Sequence, residues 1–240
     1  KTEKFETFHD KNFTALLVNA CETSTAQAYD LDYLSDFCKR NKMLLIVDAV
    51  SAYLTDQIDM EKQNIDVLLT ASQKALALAP GVALVAISER VYQDRILREK
   101  PVFYFDFANY IENQKRGQPP FTSAVGTMLA LHQRLRHIVE IGVDKEIEIH
   151  ANRAQYFREK IKKLPVSVPT YKMSNSCTAV IFDDIDASEI YRNLKEKYGI
   201  ILTPSGGILQ SKQLRVGHLG NLELEDYDDL IEKLEKELMK

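Results

Sequence analysis

The sequence predicts an α/β fold with a largely parallel sheet, and three observations carry that expectation. Short apolar runs of strand length recur between Phe13 and Ser88. They are continuous rather than alternating, as strands of a sheet covered on both faces must be. The stretches between the first runs are long enough for crossovers to parallel neighbours, and a helix signature interrupts them.

Each element follows from local chemistry. Phe13 to Ala20 reads as a buried strand. Asp30 can cap a helix from Leu31 to Asn41, with Leu31, Leu34, Phe37 and Cys38 on one face. Met43 to Val47 is a second strand and ends in Asp48. The segment 49–64 suffices for a crossover, and Ile65 to Ala71 is the next strand. Val82 to Ser88 follows Pro80-Gly81, and Glu89 to Lys100 reads as a helix. Pro101, the aromatic stretch Phe103 to Tyr110 and Gln118-Pro119-Pro120 break the pattern. The aromatic stretch reads as a hinge and interface.

Two long helices follow, 122–141 and 143–164, parted at Gly142. Val143, Ile147, His150, Ala154, Phe157, Ile161 and Leu164 form one apolar stripe, which makes His150 a core histidine. A boundary is expected near Pro165. The remainder reads as a small α+β unit, with strands at 177–182, 200–203 and 213–216 and helices at 187–197 and 224–239. The acidic run from Glu223 to Asp229 suits the first turn of the last helix, where carboxylates meet the positive dipole end.

Composition removes several function classes. A hydrophobic fraction of 45% over 240 residues allows a sizeable core, and a net charge of −4 argues against nucleic-acid binding. No apolar run approaches the about 20 residues of a membrane helix. The charged start Lys1-Thr2-Glu3-Lys4 lacks the apolar core of a signal peptide. Cys21, Cys38 and Cys177 show neither metal-ligand nor disulfide spacing, so reduced thiols in the cytoplasm and no metal site are expected. No glycine precedes Gly81, so no glycine-rich phosphate loop of the strand-loop-helix kind is present.

Two polar residues stand at the ends of apolar runs. Lys74 closes Leu68-Leu69-Thr70-Ala71-Ser72-Gln73, and Asp48 closes Met43 to Val47. Together they suggest a pyridoxal 5'-phosphate site, with the lysine as Schiff-base amine and the aspartate pairing with the pyridine nitrogen. Separately, each has a plainer reading: a lysine closing a strand, and a carboxylate capping a turn. A phosphate-accepting receiver domain is a rival for Asp48, but it would place its hydroxyl and lysine on different strands. Here Ser72 and Lys74 share one loop.

Several stretches then line up with one family. Cys21-Glu22-Thr23-Ser24-Thr25, Val47-Asp48-Ala49-Val50-Ser51, Ser72-Gln73-Lys74-Ala75-Leu76 with Ala79-Pro80-Gly81, and Leu214-Arg215-Val216-Gly217-His218-Leu219-Gly220 resemble the motifs of class V pyridoxal-phosphate-dependent aminotransferases. The likeness is greatest to the alanine–glyoxylate and 2-aminoethylphosphonate–pyruvate transaminase branch, to which Arg116-Gly117-Gln118-Pro119-Pro120 is also similar. Gln73, where cysteine desulfurases typically have histidine, argues against those relatives.

The resemblance implies an aspartate aminotransferase-like fold. Residues 1–110 would be part of the large cofactor-binding domain, 111–164 interdomain helices and 165–240 a small C-terminal α+β domain. It implies a transaminase moving an amino group from 2-aminoethylphosphonate, alanine or serine to pyruvate or glyoxylate. Lys74 and Asp48 would act as above, and Thr23 would bond the phenolic oxygen. Val50 would press on the ring, Gln73 would touch the phosphate, and Arg215 would clamp the substrate carboxylate. A homodimer is implied, because in this family a loop matching 115–118 completes the partner's phosphate site. The family's N-terminal phosphate-cradling part has no counterpart here. The alternative is therefore a non-catalytic or incomplete transaminase-like fragment that needs that segment. His218 reads as structural, and Cys21 as buried rather than reactive.

Overall fold

The computed structural model describes residues 7–8, 12–98 and 103–239. A four-stranded sheet is built from β1 (Ala15–Asn19), β4 (Leu44–Asp48), β5 (Val67–Ala71) and β6 (Ala83–Ile87), adjacent in that order. β1, β4 and β5 run parallel, with Asn19 opposite Asp48 and Asp48 opposite Leu69. Their C-terminal ends therefore share one edge. Between β1 and β4 lie a short hairpin, β2 (Cys21–Glu22) with β3 (Gln27–Ala28), and helix α1 (Leu31–Arg40). Asp30 caps α1 by accepting from the Tyr33 amide at 3.0 Å. Leu34 and Phe37 bury one face of α1 against Leu45, Val47 and Ile65.

β6 returns antiparallel to β5, with Val67 opposite Ile87 and Ala71 opposite Ala83. The sheet is thus mixed. The connection 72–82 holds no helix, and only a crossover can make a parallel neighbour. Buried Asp66 ties three strands at the opposite edge. It accepts from the Leu45 amide at 2.9 Å and the Ser88 hydroxyl at 3.0 Å, and pairs with Arg90.

After β6, the helix expected over 89–100 is α2 (Glu89–Val91) followed by a π-helical turn, Tyr92–Ile96. Its expected last residues, 99 and 100, and the break at Pro101 lie outside the described residues, as does the N-terminal run 1–6. The aromatic stretch does not stay irregular: α3 (Phe107–Gln114) starts at an Asp106 cap that accepts from the Asn109 amide at 3.1 Å. That cap was overlooked among the aromatics. Phe103, Tyr104 and Phe105 are exposed, and Tyr104 stacks on Phe121.

α4 (Val125–Ile141) and α5 (Val143–Ile161) are parted at Gly142, whose φ of 92° disfavours other residues. An ion pair between Arg134 and buried Glu146 ties them. Val143, at the head of the expected stripe, is exposed, whereas His150, Ala154, Phe157 and Ile161 are buried.

The C-terminal α+β domain holds a three-stranded antiparallel sheet, ordered β7 (Cys177–Ile181), β9 (Gln213–Gly217), β8 (Thr203–Pro204). α6 (Ala187–Tyr198), α7 (Leu224–Leu238) and the end of α5 cover it through Phe157, Ile161, Ile190, Leu194, Leu230 and Leu234. The strand expected over 200–203 is only β8: Ile200 to Leu202 follow the left-handed Gly199 cap of α6 and lead into the sheet unpaired. α7 starts at a capping box between Glu223 and Asp226.

Candidate active site

Three segments leave the shared strand-end edge. The hairpin with Thr23 follows β1, Ala49 and Val50 follow β4, and Ser72-Gln73-Lys74 follows β5. Open α/β sheets take ligands at this edge.

Asp48 ends β4. One of its carboxylate oxygens accepts from the Val50 amide at 2.8 Å, and the Ala49 amide donates to Leu69 at 2.8 Å. This turn fixes Val50, which is half-buried. Asp48 itself is exposed, not the buried anion that a pyridinium partner suggests.

The Lys74 loop is fastened on both sides. The buried Ser72 hydroxyl donates to the Ala79 carbonyl at 2.8 Å and accepts from the Val82 amide at 3.3 Å. Ala75 and Leu76 are buried against Leu54, Leu131 and Ile138. The Ala77 amide donates to the Lys74 carbonyl at 2.8 Å, with Ala77 at a φ of 57°. Lys74 is half-buried, and its ammonium has no hydrogen-bond or ion-pair partner among the described residues. Gln73 beside it is exposed.

Thr23 and Arg215 are brought into contact across 192 residues. Arg215, on β9, donates from Nη1 to the Thr23 carbonyl at 2.8 Å and from Nη2 to the Pro204 carbonyl at 3.1 Å. Its Nε is buried and unpartnered. The Ser24 amide donates to the Glu22 carboxylate at 2.9 Å, and the Ser24 contacts hold that carboxyl below its usual range. The Thr25 hydroxyl is buried without a partner. The Lys74 amine, the exposed Asp48 carboxylate, the Thr23 turn and the unpartnered Arg215 Nε form a set that suits the ring end of pyridoxal phosphate.

Behind Arg215 the chain is polar but satisfied. His218 is fully buried, with Nε2 2.8 Å from the Thr178 hydroxyl and Nδ1 3.1 Å from the Tyr227 hydroxyl. Burial pushes it down to about 3, so it is neutral at physiological pH and structural, as expected. Arg158 donates to Thr178 at 2.9 Å and to the Cys177 carbonyl at 3.1 Å. The Cys21 and Cys177 thiols flank the Ser176 hydroxyl at 3.6 and 3.8 Å. Cys177 and burial together push the Cys21 thiol up, which keeps it protonated.

Residues 1–208 match the class-V aminotransferase family. The chain belongs to that family. It is 28% identical over 240 residues to the soluble hydrogenase 42 kDa subunit of Anabaena cylindrica, covering 99% of this chain and 63% of that one. It is 31% identical over 229 residues to the alanine–glyoxylate aminotransferase of Oryctolagus cuniculus, covering 90% and 58%. This class-V chain thus spans less than two thirds of either relative. The crystal structure of an alanine–glyoxylate aminotransferase from Nostoc sp. superposes with a TM-score of 0.88 at 23% identity, over 99% of this chain and 65% of that one. The fold is therefore aspartate aminotransferase-like, with a large mixed sheet and a smaller C-terminal α+β domain.

Two further side chains that hold the Thr23 turn were not reached by sequence reasoning. Tyr171 donates to the Thr25 carbonyl at 2.8 Å, and buried Gln213 donates to the Ser24 carbonyl at 2.6 Å. Neither lies in a motif that points to the Thr23 turn. Only the placement of Gln213 two residues before Arg215, on one face of a strand, carried a signal.

Proposed function

We propose that this chain carries the lysine, aspartate and arginine of a pyridoxal-phosphate-dependent transaminase. The reaction would move an amino group from a small amino donor (alanine, serine or 2-aminoethylphosphonate) to pyruvate or glyoxylate. The observation that carries the reading is the unpartnered, half-buried ammonium of Lys74 at the sheet edge where Asp48 ends β4. A half-buried lysine without a counter-charge among the described residues is kept free for covalent work.

Bound pyridoxal phosphate supplies a ring that accepts the electron pair left when a substrate carbon loses its proton. The chain's own groups do the rest. Lys74 Nζ holds the cofactor, then carries the proton off the substrate carbon. The Asp48 carboxylate holds a proton on the pyridine nitrogen. The Thr23 hydroxyl orients the phenolic oxygen, Val50 packs on the ring and Gln73 faces the phosphate. Arg215 offers a planar fork to the substrate carboxylate. A second copy of the chain would complete each phosphate site from its 115–118 loop, which makes the working unit a homodimer. The name of the rabbit relative favours alanine and glyoxylate within the substrate class.

Absorbance after adding pyridoxal phosphate tests this. A visible band is expected that is lost in Lys74→Ala, bleached by L-alanine and restored by glyoxylate. An equal band in Lys74→Ala would overturn the assignment. The exposure of Asp48 favours a second reading, a fragment whose site another segment must cover. It predicts bleaching only when a longer polypeptide is supplied.

A further inference from the structure

Three side chains of the C-terminal domain donate to three successive carbonyls of one turn. Arg215 Nη1 takes Thr23 at 2.8 Å, Gln213 Nε2 takes Ser24 at 2.6 Å, and the Tyr171 hydroxyl takes Thr25 at 2.8 Å. Backbone bonds fasten the far side of the same hairpin. The Ser174 amide donates to Ala26 and the Ala28 amide to Lys172, both at 2.9 Å. The turn is strained enough to need this support, because Ala26 sits at a φ of 61°.

The three donors are not equivalent. Tyr171 is exposed, so water can replace it. Arg215 is shared with Pro204. Gln213 is 3% exposed and spends its amide on Ser24 and on the Ser205 hydroxyl at 2.9 Å. A buried amide carries no charge for a substrate and is too enclosed to turn over. Its role is to set geometry.

We propose that Gln213 is a positioning residue that fixes the Thr23 turn through the Ser24 carbonyl, with Tyr171 as its weaker partner. This rests on the assignment of Thr23 to the cofactor's phenolic oxygen. The C-terminal domain thereby sets the Thr23 hydroxyl through the same strand that presents Arg215. Substrate-carboxylate binding and cofactor orientation are coupled through β9, because Arg215 and Gln213 stand two residues apart on one face of it.

The full chain is compared with Gln213→Met, Tyr171→Phe and Ser205→Ala. Without cofactor, amide exchange at Ser24 and Thr25, which both donate to Glu22, should quicken about tenfold in Gln213→Met and about threefold in Tyr171→Phe. Ser205→Ala leaves the Ser24 bond in place and should leave exchange unchanged. With pyridoxal phosphate bound, the ratio of visible to near-ultraviolet absorbance at fixed pH should shift about threefold in Gln213→Met. There kcat should fall while KM for glyoxylate holds. Unchanged exchange at Ser24 and Thr25 in both Gln213→Met and Tyr171→Phe overturns the proposal. So does an unshifted absorbance ratio in a folded Gln213→Met protein. If the wild-type chain forms no Lys74-dependent band, the transaminase reading fails, and the exchange arm still decides whether Gln213 holds the turn.

Discussion

The Lys74 loop and the Thr23 turn leave the same sheet edge and are fastened by opposite means. The loop closes on itself. Ser72 bonds Ala79 and Val82, the Leu78 amide donates to Ser72, and the Ala77 amide donates to Lys74. The most distant of these partners, Ser72 and Val82, are 10 residues apart. The Thr23 turn is held mostly from the other domain, by residues 146 to 192 positions away. A loop closed mostly by its own hydrogen bonds depends less on the C-terminal domain, which reaches its cluster through Leu219. A turn held from afar follows that domain. On the transaminase reading proposed above, the site would join a fixed amine to an adjustable hydroxyl, and substrate at Arg215 would act on the adjustable part.

Variants should divide along that line. The largest effect belongs to the loop. Lys74→Ala should lower kcat by at least about 10³-fold with little change in stability, since the ammonium has no partner among the described residues to lose. Rate recovery by added small amines would mark the loss as chemical. Arg215→Lys comes next. It should raise KM for the 2-oxo acid about tenfold, because an ammonium cannot replace a planar fork. It should also quicken amide exchange at Ser24, where Lys74→Ala does not. An Arg215→Lys protein with normal KM would remove the carboxylate clamp from the site.

Ser72→Ala probes the loop's self-closure. Removing a buried hydroxyl with two bonds should cost about 1 kcal/mol in urea unfolding, and should leave the Thr23 turn as it was. The smallest effect tests the other side. His218 is held neutral well below its unfolded value, so the unfolded chain binds the extra proton and stability falls as pH drops below about 6.5. The loss from this group should be about 0.7 kcal/mol between pH 7 and pH 6. His218→Asn should lower stability at pH 7 while flattening that slope. An unchanged slope would mean that His218 does not govern the acid side.

Much of the proposed site is legible in the chain. Lys74 and Asp48 stand out because each ends an apolar run in a polar motif, and α1 and α7 because their caps and apolar faces agree. The aromatic stretch hid α3, whose Asp106 cap has the same chemistry as that of Asp30. The antiparallel turn of β6 follows from a connection too short and too poor in helix to cross over. Tyr171 could not be read at all, and Gln213 only through its place on the Arg215 face of one strand. A glutamine before an arginine strand and a tyrosine in a loop have no pattern that names a distant carbonyl.

Strand runs, helix caps and the lysine, aspartate and arginine motifs are legible in the chain alone, because they depend on neighbours a few residues apart. The exposure of Asp48, the lack of a Lys74 partner among the described residues, and the grip of the C-terminal domain on three carbonyls of the Thr23 turn come from the folded arrangement. Hydrogen bonds between backbone carbonyls and remote side chains depend on where the fold places both ends. A carbonyl is the same in every residue, so nothing in the order of side chains marks which one will be held.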